Sequence, residues 1–234
     1  MKPAAATLDA ASASAARLRP LLALLQLASP ALPVGGFAYS QGLERAIEDG
    51  LVHDATTSER WIGDLLMLSL ARLEAPLWLR AFDAAALADT AALARWNDEL
   101  LAARETAELR AETQQMGASL ARVMPALGLT PPALDPLSFP AAFAAACAGL
   151  GIDREAGLAA FLWAFIENQV LVAVKHVPIG QQAGQTLLFA LHARLAQAVQ
   201  TASALRDDEL GSAAIGYALA SARHELQYSR LFRS

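Results

Sequence analysis

The chain has 234 residues, 55% of them hydrophobic and 18% charged, and its formal net charge at pH 7 is -5. This composition excludes a chain that is disordered throughout and supplies enough apolar side chains for a large core. The acidic balance, with no basic stripe, argues against nucleic-acid binding, which depends on neutralising phosphates. Because no Ser/Gly-rich linker divides the sequence, we predict one domain.

Residues 1–17 are rich in Ala and Ser, and we predict that they form a flexible N-terminal tail ahead of a domain that spans residues 18–234. Polar residues such as Asp9 interrupt the apolar region that a secretory signal needs. The most apolar later run, residues 156–166, is much shorter than the roughly 20 residues that cross a membrane. We therefore expect a cytoplasmic protein with no membrane crossing.

The first predicted helices lie on either side of a turn. The sequence RPLLALLQLA from Arg19 is apolar nearly all round and predicts a buried helix. A second helix is expected from about Phe37 to Asp49. Thr56, with Glu59 three residues later, has the spacing of a capping box and predicts the start of a third helix.

The middle of the chain predicts a helix that begins at Pro76, followed by a long periodic run from Asp89 to Met124. That run exceeds typical helix lengths, so we expect two helices with a kink near residues 104–107. Ser138 opens a short helix, and Asp153 caps a central helix that is buried on most sides.

The last part of the domain predicts one helix over residues 181–204 and a final helix with an acidic start at residues 207–209. No β pattern competes, because the β-branched run at residues 170–174 continues the preceding helix. The sequence therefore predicts an all-α, single-domain bundle of roughly 8–10 helices.

Side chains suited to catalysis or metal binding are few. The Gly35-Gly36 pair lacks the GxxxxGK[ST] pattern of a phosphate-binding loop, and no GxSxG nucleophile elbow occurs. The single Cys147, which we expect in the core, has no metal-ligand spacing to a histidine. The histidines are His53, His176, His192 and His224. We predict no cofactor and no enzymatic activity, with a helical small-molecule enzyme using Glu44 and Lys175 as acid and base left open as the alternative.

Four stretches hold more polar and turn-forming residues than core packing requires. They are the bend (Ser29–Glu44), the acidic stretch (Arg104–Gly117), the glutamine stretch (Lys175–Gln185) and the C-terminal tail (His224–Ser234). Prolines and glycines force the bend to turn, and we expect Phe37, Tyr39 and Glu44 to lie exposed at the start of the next helix. The C-terminal tail contains Tyr and Arg, which are residue types that dominate protein interfaces.

These four stretches contain the segments SPALPVGGFAYSQGLE, RETAELRAETQQMG, VPIGQQAGQ and LQYSRLFRS. Together, and in this order, they resemble the segments that mark the UreF family of urease accessory proteins. The resemblance spans about Ser29 to Ser234. It implies a soluble, all-helical, non-enzymatic assembly factor that binds UreD (also called UreH) and recruits the GTPase UreG to load nickel into apo-urease. Members of the family also form dimers, so we expect a homodimer within a larger complex.

The resemblance also suggests roles for single residues. The C-terminal tail resembles the family segment that binds UreD, which makes Tyr228, Arg230, Phe232 and Arg233 candidates for that contact. Candidates for a surface toward UreG, or for nickel passage, lie in the bend and the glutamine stretch. They are Phe37, Tyr39, Ser40, Gln41, Glu44, Lys175, Gln181 and Gln185. A nickel carrier in its own right is a further alternative.

Overall fold

The structure is a computed structural model that describes residues 18–234. Regular structure in this range is helical, with no strand, and the predicted all-α fold is confirmed. The predicted flexible N-terminal tail, residues 1–17, lies outside the described residues.

The chain forms a succession of α-helices with short 3₁₀ turns between some of them. The α-helices are α1 (Leu18–Ala28), α2 (Leu43–Glu48), α3 (Ala55–Leu68), α4 (Glu74–Ala86), α5 (Thr90–Ala102), α6 (Ala107–Val123), α7 (Phe139–Gly149), α8 (Arg154–His176), α9 (Gln181–Ala190), α10 (His192–Ala204) and α11 (Ile215–His224). The 3₁₀ turns are Gly36–Ala38, Leu70–Arg72, Met124–Leu127 and Asp207–Glu209.

The main core lies where α4, α7 and α8 meet. Trp78 of α4 is fully buried, and its ring stacks on Phe82 at 5.5 Å and on Phe161 of α8 at 6.2 Å between ring centroids. Helix α7 is rich in alanine, so its backbone approaches its neighbours closely. Cys147 is buried there as predicted, and burial raises the pKa of its thiol to about 12.

Helix α8 is the predicted central helix, and Asp153 caps it by accepting hydrogen bonds from the N–H groups of Glu155 and Ala156. It packs against α2, α3, α4, α7, α9 and α10. Within residues 18–234 it is the one helix long and apolar enough to cross a membrane, with a mean hydropathy of 1.6. Because 56% of that apolar window is buried inside the bundle, its composition is that of a core helix.

Several predicted boundaries are confirmed and others are wrong. The long periodic run is two helices, α5 and α6, as expected. The second helix begins at Leu43 rather than Phe37, because Gln41 and Gly42 adopt left-handed backbone angles, with φ of 53° and 77°, that interrupt a helix. The cap of α3 is Asp54 rather than Thr56, since its carboxylate accepts the N–H of Thr57 at 2.7 Å.

Two further differences lie near the C-terminal end of the bundle. The helix predicted over residues 181–204 is broken at buried Leu191, where α9, which packs on α8 and α3, is followed by α10, which packs on α4 as well as on α8 and α3. The last helix begins at Ile215, not at the acidic 3₁₀ turn. The intervening backbone is held by hydrogen bonds from Ala213 N–H to the Leu68 carbonyl at 2.9 Å and from Gly211 N–H to the Arg72 carbonyl at 3.1 Å.

Candidate functional site

The C-terminal tail folds back across α2 and α6, and Glu44 is its first anchor. One Glu44 oxygen accepts the backbone N–H of Leu231 at 2.7 Å, and the other accepts the N–H of Phe232 at 3.1 Å. Burial by itself would raise the pKa of the Glu44 carboxyl. The hydrogen bonds from Leu231, His224 and Phe232 outweigh it and hold that pKa below its ordinary value. Glu44 is therefore an ionised receptor for the tail backbone.

A chain of side-chain contacts extends from Glu44 along the tail. The ring of His224 is fully buried, with Nε2 at 3.2 Å from Glu44 and Nδ1 at 2.8 Å from Glu108 of α6. Glu108 also pairs with the guanidinium of Arg230. Each carboxylate thus holds both α11 and the tail, so the end of the last helix and the tail are fixed together.

Ser234 is the second anchor. Its carbonyl oxygen accepts the N–H of Ser40 at 2.9 Å and also the Ser40 hydroxyl, while its own hydroxyl donates to Glu112 at 2.6 Å. The other oxygen of Glu112 accepts from the side-chain amide of Gln41. Burial raises the pKa of Glu112 to about 7, because the hydrogen bonds from Ser234 and Gln41 only partly offset the loss of solvent.

Arg233 joins the tail to the bend and to α6. Its N–H donates to the carbonyl of Ala38 at 2.9 Å, and its guanidinium reaches Gln115 Oε1 at 3.3 Å. The hydroxyl of Tyr39 donates to the same Gln115 oxygen at 2.8 Å. Burial raises the pKa of Tyr39, so this phenol remains a hydrogen-bond donor at neutral pH.

Phe232 supplies the apolar contact of the tail. It is only 5% exposed and fills a second, smaller core, formed by Leu43, Ala46, Val52, Val172, Ala173 and Val177. At the end of α8, the ammonium of Lys175 lies 5.8 Å from the centroid of the Phe232 ring, and the His176 ring lies at 5.2 Å. The tail therefore contacts the glutamine stretch as well as the bend and the acidic stretch.

Residues of α6, α8 and α11 complete the site and were not among the predicted site residues. Asn168 donates to the Tyr39 carbonyl at 2.9 Å, and buried Gln169 donates to the Ser40 carbonyl at 3.0 Å. In the sequence, these two residues belong to the polar triplet Glu167-Asn168-Gln169, which follows the apolar run of residues 156–166. The other additions, Glu108, Glu112, Gln115 and His224, lie in the predicted stretches, but only the folded tail selects them from their neighbours.

Six of the predicted site residues differ in whether the docked tail covers them. Tyr39 and Glu44 are 5% and 7% exposed, so the expectation that they lie on an exposed helix start is wrong; the docked tail covers them. Phe37 and Tyr228, by contrast, face solvent. In the glutamine stretch, Gln181 and Gln185 are exposed on α9, and no side-chain hydrogen bond joins them to the tail within the described residues. The roles of all these residues in partner binding stay predictions.

In this arrangement the acidic groups are occupied by the chain itself. The carboxylates of α2 and α6 are occupied by donors of the chain itself, while Leu226, Tyr228 and Leu231 project from the docked tail into solvent. Within residues 18–234, no group of three or more His, Cys, Asp or Glu side chains is arranged to hold a metal ion. Fold and site together define an all-helical protein whose C-terminal tail is docked on its own domain.

Comparison with known proteins specifies the family. The UreF family model matches residues 52–192. A urease accessory protein UreF from Azoarcus sp. (strain BH72) is 51% identical over 226 residues, covering 93% of this chain and 97% of the relative. A UreF from Cupriavidus taiwanensis is 50% identical over 227 residues, covering 93% and 99%. The chain belongs to the UreF family.

A third relative has a different architecture. The bifunctional urease accessory protein UreEF of Bordetella bronchiseptica is 49% identical over 241 residues, which cover 96% of this chain but 56% of the relative. The chain thus spans about half of that protein. All three relatives are named as accessory proteins, and the chain, like them, is not an enzyme.

Proposed function

We propose that this chain is an accessory protein for urease maturation that binds UreD and recruits the GTPase UreG, so that nickel is loaded into apo-urease. It acts in the cytoplasm as a homodimer within a larger complex. The names of its relatives support the role in urease maturation. The fused UreEF supports the idea that a UreF-like part works next to another accessory protein.

One observation carries the proposal at the level of residues. The tail docks through its backbone and through Arg230, Phe232 and Ser234, which leaves Leu226, Tyr228 and Leu231 facing outward. A rigid segment with exposed apolar and aromatic side chains binds a partner at little cost in conformational entropy. We therefore assign UreD to the outer face of the tail.

The glutamine stretch is our candidate surface for UreG. Gln181 and Gln185 are exposed on α9, beside the end of α8 that carries Lys175. The amides are free to form hydrogen bonds with a protein partner, and Lys175 adds a cation. This surface adjoins the Phe232 pocket, so a docked tail supports both binding faces.

The enzyme alternative finds no support in the geometry. Both oxygens of Glu44 are engaged by the tail, and neither Glu44 nor Lys175 lines the apolar cavity between the bend, α6 and α8. An acid–base pair must share a pocket with its substrate. These two groups lack that arrangement.

The test is co-purification of UreD and UreG with the intact chain and with a chain that ends at Leu226. We expect the shortened chain to lose UreD and, with it, UreG. Tyr228→Ala should weaken UreD retention without disturbing the docked tail, whereas Leu87→Ala, on an exposed leucine at the end of α4, is the matched control. Undiminished retention of both partners by the shortened chain would contradict the proposal.

A second pair of variants separates the two surfaces. Gln181→Ala combined with Gln185→Ala should lower the retention of UreG and leave UreD at the level of the intact chain. Loss of both partners together would show that these glutamines do not mark a separate surface.

A further inference from the structure

A cavity of about 130 Å³ lies between the bend, α6 and α8, away from the contacts of the tail with Glu44 and Phe232. Its walls are mostly apolar, and the exposed ring of Phe37 lies at its rim. The apolar wall residues include Leu27, Leu32, Leu65, Leu109, Met116 and Phe165. An engineered cavity of roughly 150 Å³ holds a benzene molecule, so this space accepts one compact side-chain head group.

The charged groups around the cavity are mainly acidic. The lining contains Glu74, Glu105, Glu112 and Glu167 and a single cation, Arg104. Arg104 is paired with Glu74 at 2.6 Å, which neutralises one of the four carboxylates. Among the described residues, the lining therefore holds three carboxyl groups without a paired cation, Glu105, Glu112 and Glu167. Because burial raises the pKa of Glu112 to about 7, its full negative charge is present above that pH.

One polar group in the lining lacks a hydrogen-bond donor, and a second, Glu112, receives only neutral donors. Within residues 18–234, no donor reaches the buried side-chain oxygen of Gln41, although its amide nitrogen donates to Glu112. Glu112 is 4% exposed and receives hydrogen bonds only from the neutral groups of Gln41 and Ser234. A buried acceptor without a donor is costly. A cation with several N–H groups would supply a donor to the Gln41 oxygen and a charge-assisted hydrogen bond to Glu112.

We propose that this cavity is a socket for the guanidinium or ammonium side chain of a partner protein. The apolar walls contact the methylene stem, as they do for long basic side chains elsewhere, and the acidic groups receive the charged end. Phe37 lies where its ring can contact the cation or its stem at the entrance. Complementary charge is the property that identifies the occupant.

An apolar side chain is the competing occupant. It would fill the space but would leave the Gln41 oxygen without a donor and would remove water from the carboxylates without compensating their charge. The observations favour the basic side chain over the apolar one.

The socket is tested with ethylguanidinium, which ends like an arginine side chain, and with N-ethylurea, a neutral molecule of similar shape. Both are titrated at pH 8, above the pKa of Glu112, into the isotopically labelled chain, and amide shifts around the cavity are followed. We expect ethylguanidinium to bind saturably and at least tenfold more tightly than N-ethylurea. Equal affinities, or no saturable shifts near the cavity, would overturn the proposal.

Variants locate the binding site. Glu112→Gln removes one negative charge and should weaken ethylguanidinium binding at least fivefold. Ala164→Leu fills the cavity without touching a carboxylate and should abolish binding even if Glu112→Gln disturbs the tail. Asp98→Asn, on an exposed residue of α5 outside the lining, should bind like the unmodified chain. Unchanged binding by Ala164→Leu would place the probe elsewhere and refute the socket.

The inference that the occupant is a side chain of a partner protein rests on the proposed function. Co-purification distinguishes failure of the socket from failure of the proposed function. If the intact chain retains neither UreD nor UreG, the proposed function fails while the probe titration still measures the socket. If the intact chain retains both, Ala164→Leu should reduce at least one of them and Asp98→Asn should not. Equal retention by Ala164→Leu would refute a partner side chain as the occupant.

Discussion

At the scale of single residues, Glu112 is the carboxyl group whose titration the fold changes most clearly. Its pKa in the folded chain is about 7, against an ordinary value of 4.5. Between these pH values the folded chain holds a proton that the unfolded chain has released. The free energy of unfolding therefore falls as pH rises through this window, by on the order of 3 kcal/mol from this group.

The first prediction follows from this decrease of the free energy of unfolding with rising pH. Glu112→Gln should remove this part of the pH dependence, so that the free energy of unfolding falls less between pH 5 and pH 8 than it does for the unmodified chain. Urea unfolding at several pH values, followed by circular dichroism, measures the difference. The same slope in both proteins would show that Glu112 is ionised throughout, as an exposed carboxylate is.

The second prediction concerns Glu44, whose pKa is shifted in the opposite direction. Glu44→Gln exchanges charge-assisted hydrogen bonds to Leu231 and Phe232 for weaker neutral ones and should cost about 2 kcal/mol. We expect faster hydrogen exchange at these two amides and faster tryptic cleavage at Arg230. In the unmodified chain the contribution of Glu44 to tail docking should weaken as pH falls below the ordinary pKa of glutamate and be lost as pH falls through the lower pKa of folded Glu44. Unchanged protection in the variant would refute Glu44 as the anchor.

At the scale of elements, the closest approach of α6 to the segment before α7 depends on Gly117. A Cβ at this position would lie 2.1 Å from the carbonyl oxygen of Leu137. That backbone is fixed by Asn97, which donates to the Pro136 carbonyl at 3.0 Å and accepts the Ser138 N–H at 2.8 Å. The element cannot move aside without losing these bonds.

The third prediction is that Gly117→Ala destabilises the fold by about 3 kcal/mol, because an overpacked backbone contact cannot relax. Gly216→Ala is the matched control, since beyond its own helical turn no atom of the described chain lies within 4 Å of the added Cβ in the first turn of α11. There the alanine should stabilise by up to about 1 kcal/mol through its helix propensity. Urea midpoints compare the two, and a midpoint for Gly117→Ala equal to that of the unmodified chain would contradict the close approach.

At the scale of the whole molecule, the tail and the main core are separate. The large core around Trp78 includes no residue of the tail, whereas Phe232 belongs to the smaller core with Leu43 and Val172. Partner binding and overall folding should therefore respond differently to loss of the tail.

The fourth prediction is that a chain ending at Leu226 keeps its helical circular dichroism but unfolds at a Tm lower by roughly 5–10 °C. The lower Tm reflects the lost burial of Phe232, about 2–3 kcal/mol, and the lost hydrogen bonds to Glu44 and Glu112. Thermal scans of the two chains measure it. Loss of the helical signal at room temperature would show that the tail is part of the folding core.

The sequence by itself determined most of the helices, because their periodicity, caps and breakers are local. The kink between α5 and α6, the Asp153 cap and the buried Cys147 are examples. It also determined the four stretches and, through them, the family to which the chain belongs. Local patterns did not show that the helix over residues 181–204 breaks at Leu191, since that break depends on which helices each half packs against.

Only the tertiary structure decided which residues of the four stretches meet and which stay exposed. The hydrogen-bonded residues of the bend and the tail are separated by 180 residues or more, so their hydrogen bonds have no local signature in sequence spacing. Tyr39 and Glu44 look like surface residues in the sequence, but the returning tail covers them. The physical reason is that burial and hydrogen bonding belong to pairs of distant segments, whereas helix propensity and capping belong to neighbours along the chain.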